Sequence, residues 1–365
     1  MAAFLALAGA LVLFRPVPAA ADPVRVVMES CDLWSTPATW RSVLRRAPRN
    51  QPASGPYDDT RPDTTDRHAA ALLSAGITAD QSCWYRARGN AGHPVVPIHD
   101  GFIRAMAAGG GDRDRLSWSL FWDNSNPAGD GVSGASDFLD HLVPFWIDTY
   151  FRRSNYLRLD GRPVLVISSP RRLLADLGGP VPARAAIAAF RARIRDAGLP
   201  GLLLFASNNA DPAADNHLAH DLGFDAVMAY ATPIFTGLLR DAAPSADAPS
   251  DDAVMRAERS SWAAWQRSSA IPSTITVSNG FDARIWSDGR THYRLSPPHL
   301  AELLRDGIRA AADRPPGSPG HRLLFLDNWN EYGEGHFIEP SLAFGDADLR
   351  AVAAVLRSAD ALPRP

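Results

Sequence analysis

Two glutamates stand three residues apart in the segment NWNEYGEGHFIEP (328–340), which follows the apolar run LLFL. Glycines on both sides of the second glutamate allow the chain to turn there. Neighbouring carboxyl groups repel each other as anions, so one is expected to keep its proton while the other ionises. Cleavage of a glycosidic bond uses this division between a proton donor and a base. Glu331 and Glu334 are therefore the candidate catalytic residues.

A structural interpretation of the same pair remains open. In it, Glu331 caps a helix or pairs with an arginine, and Glu334 is only solvated. The position of both residues at the end of an apolar strand, among aromatic and amide side chains, favours the catalytic interpretation. Glu339, just before a proline, is expected to brace the loop rather than to react.

Polar and aromatic side chains also follow the other strand-like runs of the chain. Aromatic rings stack on the C–H faces of sugars, while carboxylates and amides hydrogen-bond to sugar hydroxyls. A half-buried packing role is the alternative for each single tryptophan, and an ion pair with Arg284 is the alternative for the aspartate of GFDARIW. The expected substrate-binding residues are Trp84, Tyr85, Trp122, Asp123, Asn124, Asn208, Tyr230, Asp282, Trp329, Asn330, Tyr332 and His336.

The elements that must position these residues alternate along the chain. Short apolar or β-branched runs predict eight strands, separated by stretches with helical periodicity. The predicted strands cover 24–31, 77–85, 116–124, 163–169, 201–209, 226–232, 273–281 and 322–331. Eight such units predict an α/β fold, a closed (β/α)8 TIM barrel in a single domain, whose active site forms at the carboxyl ends of the strands.

Two further features support the barrel. No phosphate-binding glycine turn follows the first strand, as an open doubly wound sheet would require. The segment 32–65 is rich in Pro and Arg with little periodicity, and it is expected to form a long loop over the barrel mouth.

Composition excludes several classes of function. The chain has 365 residues, 46% of them hydrophobic, and a formal net charge of -3, which is typical of a globular protein and offers no bias toward nucleic acid. The ten histidines show no metal-ligand spacing, so metal catalysis is not expected. The expected partner is a carbohydrate substrate, and the oligomeric state stays open.

The amino terminus has the features of an export signal. An apolar run is followed by small residues in cleavage spacing, which predicts a signal peptide over residues 1–21, cleaved after Ala21. The catalytic domain would then span 22–365, without an integral membrane segment, in a secreted or periplasmic protein. Whether Cys31 and Cys83, on neighbouring predicted strands, form a disulfide is left open.

The motif NWNEYGEGHFIEP resembles the signature of glycoside hydrolase family 99 and of the related bacterial family 99-like (WbsX-type) domain, some of whose members are labelled lipopolysaccharide-biosynthesis glycosyltransferases. The similarity extends to YDDTRPDTTDRHAAALLSAGIT, NYLRLDGRPVLVI and GFDARIW, so it covers the chain from about Tyr57 to Pro340. It implies a (β/α)8 barrel that acts on α-linked glycans, especially α-mannosides, with retention of configuration and without a metal or organic cofactor.

The resemblance also implies roles for the two glutamates. Glu331 would deprotonate the 2-hydroxyl of the substrate, which attacks the anomeric carbon to form a 1,2-anhydro sugar. Glu334 would act as general acid on the leaving oxygen and then as general base on water. Two rival functions remain: a glycosyltransferase or transglycosylase with the same site, and a non-catalytic barrel that binds glycans.

Overall fold

Eight parallel strands form the centre of the molecule, in a computed structural model that describes residues 24–127, 129–207, 212–230, 248–268, 270–282, 284–286 and 292–358. The strands are β1 (Arg25–Ser30), β2 (Ala79–Ala87), β3 (Ser117–Trp122), β4 (Arg162–Ile167), β5 (Leu203–Ser207), β6 (Ala226–Met228), β7 (Ile275–Ser278) and β8 (Leu323–Asp327). Each overlaps one predicted segment. The predicted signal peptide and Asn208 lie outside the described residues.

The strand order closes the sheet into a barrel. Hydrogen-bonded neighbours run β7-β8-β1-β2-β3-β4-β5-β6, all in parallel register. The remaining gap, between β6 and β7, is bridged where the Val227 N–H donates to the Pro272 carbonyl (2.8 Å) and the Thr274 N–H donates to the Val227 carbonyl (2.9 Å). The predicted single-domain (β/α)8 barrel is confirmed.

Helices surround the strands on the outside. Within the described residues they are α1 (Pro37–Arg46), α2 (Pro62–Ser74), α3 (Gly101–Ala108), α4 (Asp112–Arg115), α5 (135–151, with wide π turns), α6 (Pro170–Asp176), α7 (Pro180–Asp196), α8 (Pro212–Leu222), α9 (Asp251–Arg267), α10 (Pro297–Ala312), α11 (Pro319–Arg322) and α12 (Ala347–Arg357). No single described helix has the length and apolar composition to cross a bilayer, although the sharply bent pair α6 and α7 reaches those limits together.

Alternation along the strands separates an inner core from an outer one. Phe121 of β3 and Phe325 of β8 belong to the cluster inside the barrel. The side chains of Trp84 and Trp122 point to the outer side of the sheet and pack against Trp146 of α5, with ring centroids 5.7 and 5.2 Å from that of Trp146. Both rings are fully buried, so the barrel wall separates them from its interior.

The segment 32–65 is more ordered than expected. It contains α1 and a short 3-10 helix at Pro48–Asn50, so the predicted loop includes helical turns that its weak periodicity did not indicate. Trp34 and Trp40 are buried with Tyr332 and Phe337 in a separate aromatic cluster. The Trp34 Nε1–H donates to the Asn330 carbonyl at 2.9 Å. The segment therefore fixes the chain that carries the two glutamates, at the mouth of the barrel.

Candidate active site

A short hairpin after β8 carries both glutamates. Its strands Asn330–Glu331 and His336–Phe337 are antiparallel, with Glu331 opposite His336. Gly335 has φ +69°, a conformation that glycine adopts readily, and a Cβ there would lie 2.5 Å from the Cβ of Asp282. The turn between the two short strands thus places Glu334 beside Glu331 instead of extending the chain into solvent.

Both glutamates line one cavity of about 240 Å³ at the carboxyl ends of the barrel strands. Tyr85, Asp123 and Tyr230, which follow or end other strands, line the same cavity. These five are the sequence-predicted residues that the structure brings together. Their meeting follows from the parallel sheet, in which all carboxyl ends lie on one rim.

Glu334 is held as an anion by two donors. Its Oε2 accepts a hydrogen bond from the Tyr230 hydroxyl at 2.7 Å and lies 3.0 Å from His336 Nε2. Burial raises the pKa of Glu334, but the His336 hydrogen bond and positive charge together with the Tyr230 bond outweigh it, so the pKa falls below its ordinary value. Glu334 is therefore ionised at neutral pH.

His336 is a buried cation between two carboxylates. Its Nδ1 lies 2.6 Å from Asp327 Oδ1, at the end of β8, and its Nε2 faces Glu334. Burial lowers the pKa of His336, yet the charges and hydrogen bonds of Asp327 and Glu334 raise it to about 10. The side chain has no solvent exposure. His336 thus lies behind Glu334 and positions it, whereas direct contact with substrate was expected.

Two other carboxyl groups near Asp327 have raised pKa values. Burial, followed by the negative charge of Asp327, raises the pKa of Glu29 on β1 and of Glu258 on α9 well above the ordinary value. A raised pKa favours the protonated form of both glutamates, which reduces the repulsion among the buried carboxyl groups.

The pKa of Glu331 is shifted in the opposite direction to that of Glu334. Its side chain is almost fully buried, and its Oε1 accepts a hydrogen bond from the Gly333 N–H at 3.0 Å. Burial first, and then the negative charge of Glu334, raise the pKa of Glu331 to about 7, although Cys31, His336 and the Gly333 amide oppose the rise. The two carboxyl groups therefore differ in protonation, as a proton donor and a base must.

Several predicted substrate-binding residues have structural roles. Trp84 and Trp122 face the helices, so their assignment is corrected to packing. Trp329 is buried edge-on against His68. The remaining corrected residues are Asn124, which exchanges hydrogen bonds with the Ser169 backbone, Asn330, whose Oδ1 accepts from the Cys31 N–H, and Tyr332, whose hydroxyl donates to Glu339.

Two expectations about neighbouring carboxylates are resolved by their contacts. Asp282 forms a two-pronged ion pair with Arg284, with both N–O distances at 2.7 Å, and does not line the cavity. Glu339 accepts hydrogen bonds from the hydroxyls of Tyr57 and Tyr332, at 2.9 and 2.7 Å. The bracing role predicted for Glu339 therefore agrees with its contacts.

The two cysteines are free thiols whose sulfur atoms lie 3.3 Å apart. Both line the cavity. The hydrogen bond with Cys83, followed by burial, raises the pKa of Cys31 well above its ordinary value. The same hydrogen bond lowers the pKa of Cys83, but burial and the neighbouring carboxylates outweigh it, so the pKa of Cys83 is also raised. No group of three or more His, Cys, Asp or Glu side chains in the described part of the chain is arranged to hold a metal ion.

Sequence reasoning missed several contributors to the cavity and its charge, among them Trp286, Phe121 and Asp327. Trp286, at the end of GFDARIW, lines the cavity from a loop. Phe121 on β3 points into the barrel and lines the cavity from there. Asp327 holds His336, nine residues further along. The sequence offered one signal for Phe121: side chains alternate along a strand, so Phe121, two residues before Asp123, lies on the same side of β3 as Asp123.

Comparison with known proteins decides the family. The profile described as glycosyltransferase WbsX matches residues 118–352, more than half of the chain. The chain belongs to the WbsX family. This membership confirms the resemblance recognised in the motif around Glu331 and Glu334.

Relatives of this WbsX-family chain are known in sequence and in structure. Two proteins of Xanthomonas campestris pv. campestris, both called uncharacterized protein WxcX, are 25% identical over 350 residues, and the chain spans 46% of their length. A glycoside hydrolase-like protein superimposes with a TM-score of 0.64 at 15% identity, covering 95% of this chain and 98% of the other.

The GH99 endo-alpha-mannosidase from Bacteroides thetaiotaomicron superimposes with a TM-score of 0.59 at 13% identity, covering 90% of this chain and 96% of the other. At these identities the structural neighbours establish the barrel of this WbsX-family chain and not its activity.

The raised pKa of Glu331 predicts a pH-dependent effect on stability. Because the folded-state pKa of about 7 exceeds the ordinary value of 4.5, the stability that Glu331 contributes is fully present below pH 4.5 and is lost as pH rises through 7. Glu331→Gln lacks this decline. From pH 4.5 to pH 8, the variant is expected to gain roughly 3 kcal/mol relative to wild type, at about 1.4 kcal/mol per pKa unit. Urea unfolding at both pH values measures it.

The matched control is Glu302→Gln, because the Glu302 side chain is 56% exposed on α10. Its stability relative to wild type should not depend on pH over this interval. A Glu331→Gln difference that is the same at pH 4.5 and pH 8 would contradict the assignment of a proton to Glu331.

Proposed function

We propose that the protein is a secreted glycan hydrolase that cleaves α-linked poly- or oligosaccharides, with α-mannosides as the first candidates, and retains the anomeric configuration. The observation that carries the proposal is the pair of carboxyl groups in one cavity, where the pKa of Glu331 is raised to about 7 and the pKa of Glu334 is lowered. WbsX-family membership and a barrel shared with a GH99 endo-alpha-mannosidase support glycan processing as the broader function. The α-linkage and the mannose are taken from the resemblance alone.

The pKa shifts of the two glutamates favour one of them as the proton donor and the other as the base. Glu331 holds the transferable proton, so it donates to the leaving oxygen. Glu334 is the ready base, with Tyr230 and His336 keeping it ionised. This allocation reverses the one that the family resemblance implies, in which the first glutamate is the base and the second is the acid.

The chemistry proceeds in two balanced steps. In the first step, Glu334 removes the proton of the 2-hydroxyl and O2 bonds to the anomeric carbon. The bond from that carbon to the leaving oxygen breaks while Glu331 donates its proton to the leaving oxygen. Water then attacks the anomeric carbon of the 1,2-anhydro sugar and breaks its bond to O2. Glu331 takes the proton from water, and Glu334 returns one to O2. Such substrate-assisted routes are exceptions to the usual enzyme nucleophile.

A glycosyltransferase is the second candidate, because the family carries that name. A nucleotide-sugar donor brings a diphosphate, which proteins bind with arginine, lysine or a metal ion. Among the described residues that line the cavity, none is an arginine or a lysine. This composition of the described lining supports a glycosyl donor without phosphate.

Export is part of the proposal. The apolar run and the small residues before Ala21 support it. The amino-terminal sequence of the protein recovered from its native cell tests it. A chain that starts at Asp22 and lies outside the cytoplasm is expected, whereas a cytoplasmic chain that retains residues 1–21 would contradict it and favour the transferase.

The direct test of hydrolysis is the release of reducing ends from α-mannans, α-glucans and bacterial exopolysaccharides. Wild-type protein is expected to release them from at least one polymer. Glu334→Gln should lower the rate at least about 100-fold, since a general acid or base contributes on the order of 10²–10⁴. Glu302→Gln, an exposed site, should leave the rate unchanged. Glycan binding without turnover by any of the three would instead favour the non-catalytic barrel.

An aryl α-glycoside of the sugar released in that assay separates the two allocations of roles. A nitrophenolate leaves without protonation, so loss of the proton donor matters little for its departure. The kcat/KM of Glu331→Gln for the nitrophenyl glycoside, which reports the steps up to nitrophenolate release and not the later attack of water, is expected to stay within about tenfold of wild type, while the variant loses at least about 100-fold on polymer. Glu334→Gln should lose activity on both. The opposite pattern would restore the allocation that the resemblance implies.

A further inference from the structure

Trp286 differs in exposure from every other tryptophan of the chain. Of the ten tryptophans, nine have at most 6% of their surface exposed, whereas Trp286 has 41%. The exposed indole presents a flat apolar surface beside the cavity, and the C–H face of a sugar can stack on such a surface. We infer that Trp286 is a stacking platform for a sugar unit next to the one cleaved, an inference that rests on the proposed glycan hydrolysis.

The ring is held directly against the hairpin that carries the glutamates. Gly333 stands between Glu331 and Glu334, and a Cβ on Gly333 would overlap the indole of Trp286. Trp34 lies nearly parallel to the indole, with ring centroids 6.3 Å apart and planes inclined by 10°. The absence of a side chain at Gly333 therefore allows the indole to approach the hairpin closely.

The backbone before Trp286 is anchored at several points. Ile285 is buried in the aromatic cluster of Trp34, and the Arg284 carbonyl accepts a hydrogen bond from Arg46 Nη1 at 2.9 Å. The Asp282 N–H donates to the Glu334 carbonyl at 2.5 Å. A ring attached to so fixed a segment loses little conformational entropy when a ligand stacks on it, as a binding platform requires.

The exposure of the lining residues orders them by depth. Glu331 has 3% of its surface exposed, the Glu334 side chain has 28%, and Trp286 has 41%. The cavity of about 240 Å³ is smaller than the roughly 300–1,000 Å³ of sites that enclose drug-sized ligands. It suits a single sugar ring beside the glutamates, and a second ring then extends to the rim, where Trp286 lies.

The substrate class that follows is an oligosaccharide or polysaccharide of at least two units, with an apolar C–H face on the unit that meets Trp286. A glycoside of a single sugar with a small aglycone would fill the cavity and leave the indole exposed. Affinity should therefore depend on Trp286 for oligosaccharides and hardly at all for such a monosaccharide glycoside.

Acrylamide quenching of tryptophan fluorescence tests the platform without requiring turnover. The measurement uses the Glu334→Gln protein, in which substrate is not consumed, with oligosaccharides cut from the polymer that wild type degrades. Saturating oligosaccharide is expected to protect the quenchable fraction of the emission. Trp286→Phe should remove that fraction, while Trp265→Phe, a buried position on α9, should retain it.

Calorimetry on the same proteins supplies the affinities. Trp286→Ala should weaken oligosaccharide binding about tenfold, which corresponds to about 1.4 kcal/mol, and Trp286→Phe should recover most of it. Binding of the monosaccharide glycoside should change less than threefold. Oligosaccharide binding that leaves Trp286 quenchable, or an unchanged affinity in Trp286→Ala, overturns the platform alone. Failure of wild-type protein to bind any glycan overturns the platform and the proposed function together.

Discussion

The imidazolium of His336 lies between two buried carboxylates, and the division of charge in the cavity depends on it. Asp327 at the end of β8 fixes one ring nitrogen, so the other presents a positive charge to Glu334. With that charge Glu334 ionises despite its burial, and its negative charge then helps Glu331 to keep a proton. Without the charge of His336, burial would raise the pKa of both carboxyl groups, and neither would be ionised readily enough to act as the base. The hairpin geometry matters because it brings His336 back opposite Glu331.

The barrel was predictable because each buried strand has an apolar run of the right length and each helix has its own periodicity. The carboxyl pair was predictable because it directly follows such a run. What failed was the choice of side. A strand end exposes alternate residues to opposite layers, so Tyr85 and Asp123 reach the cavity while Trp84 and Trp122, one position earlier, pack against α5. The contact of Asp327 with His336 also escaped prediction, because it needs the hairpin to fold back.

The name of the family indicates glycosyl transfer, whereas the names of the structural neighbours indicate glycoside hydrolysis. The WbsX family is described by transfer, while the structural neighbours above a TM-score of 0.5 are named for hydrolysis or as hydrolase-like. The two activities share the activation of an anomeric carbon and differ in which hydroxyl accepts the sugar, that of water or that of another glycan. In the proposed function, Glu331, Glu334 and Tyr230 serve this shared step, so the proposal does not depend on which acceptor the family uses.

The charge on His336 is the most direct test of this account. In protein labelled with ¹⁵N-histidine, the His336→Gln variant identifies the ring signals of His336 among those of the ten histidines. Both ring nitrogens are predicted to show the shifts of an imidazolium from pH 6 to pH 9 and to titrate near pH 10, because Asp327 and Glu334 raise the pKa of His336 to about 10. A neutral imidazole at pH 8 would contradict the account, since Glu334 would then lack the cation that keeps it ionised.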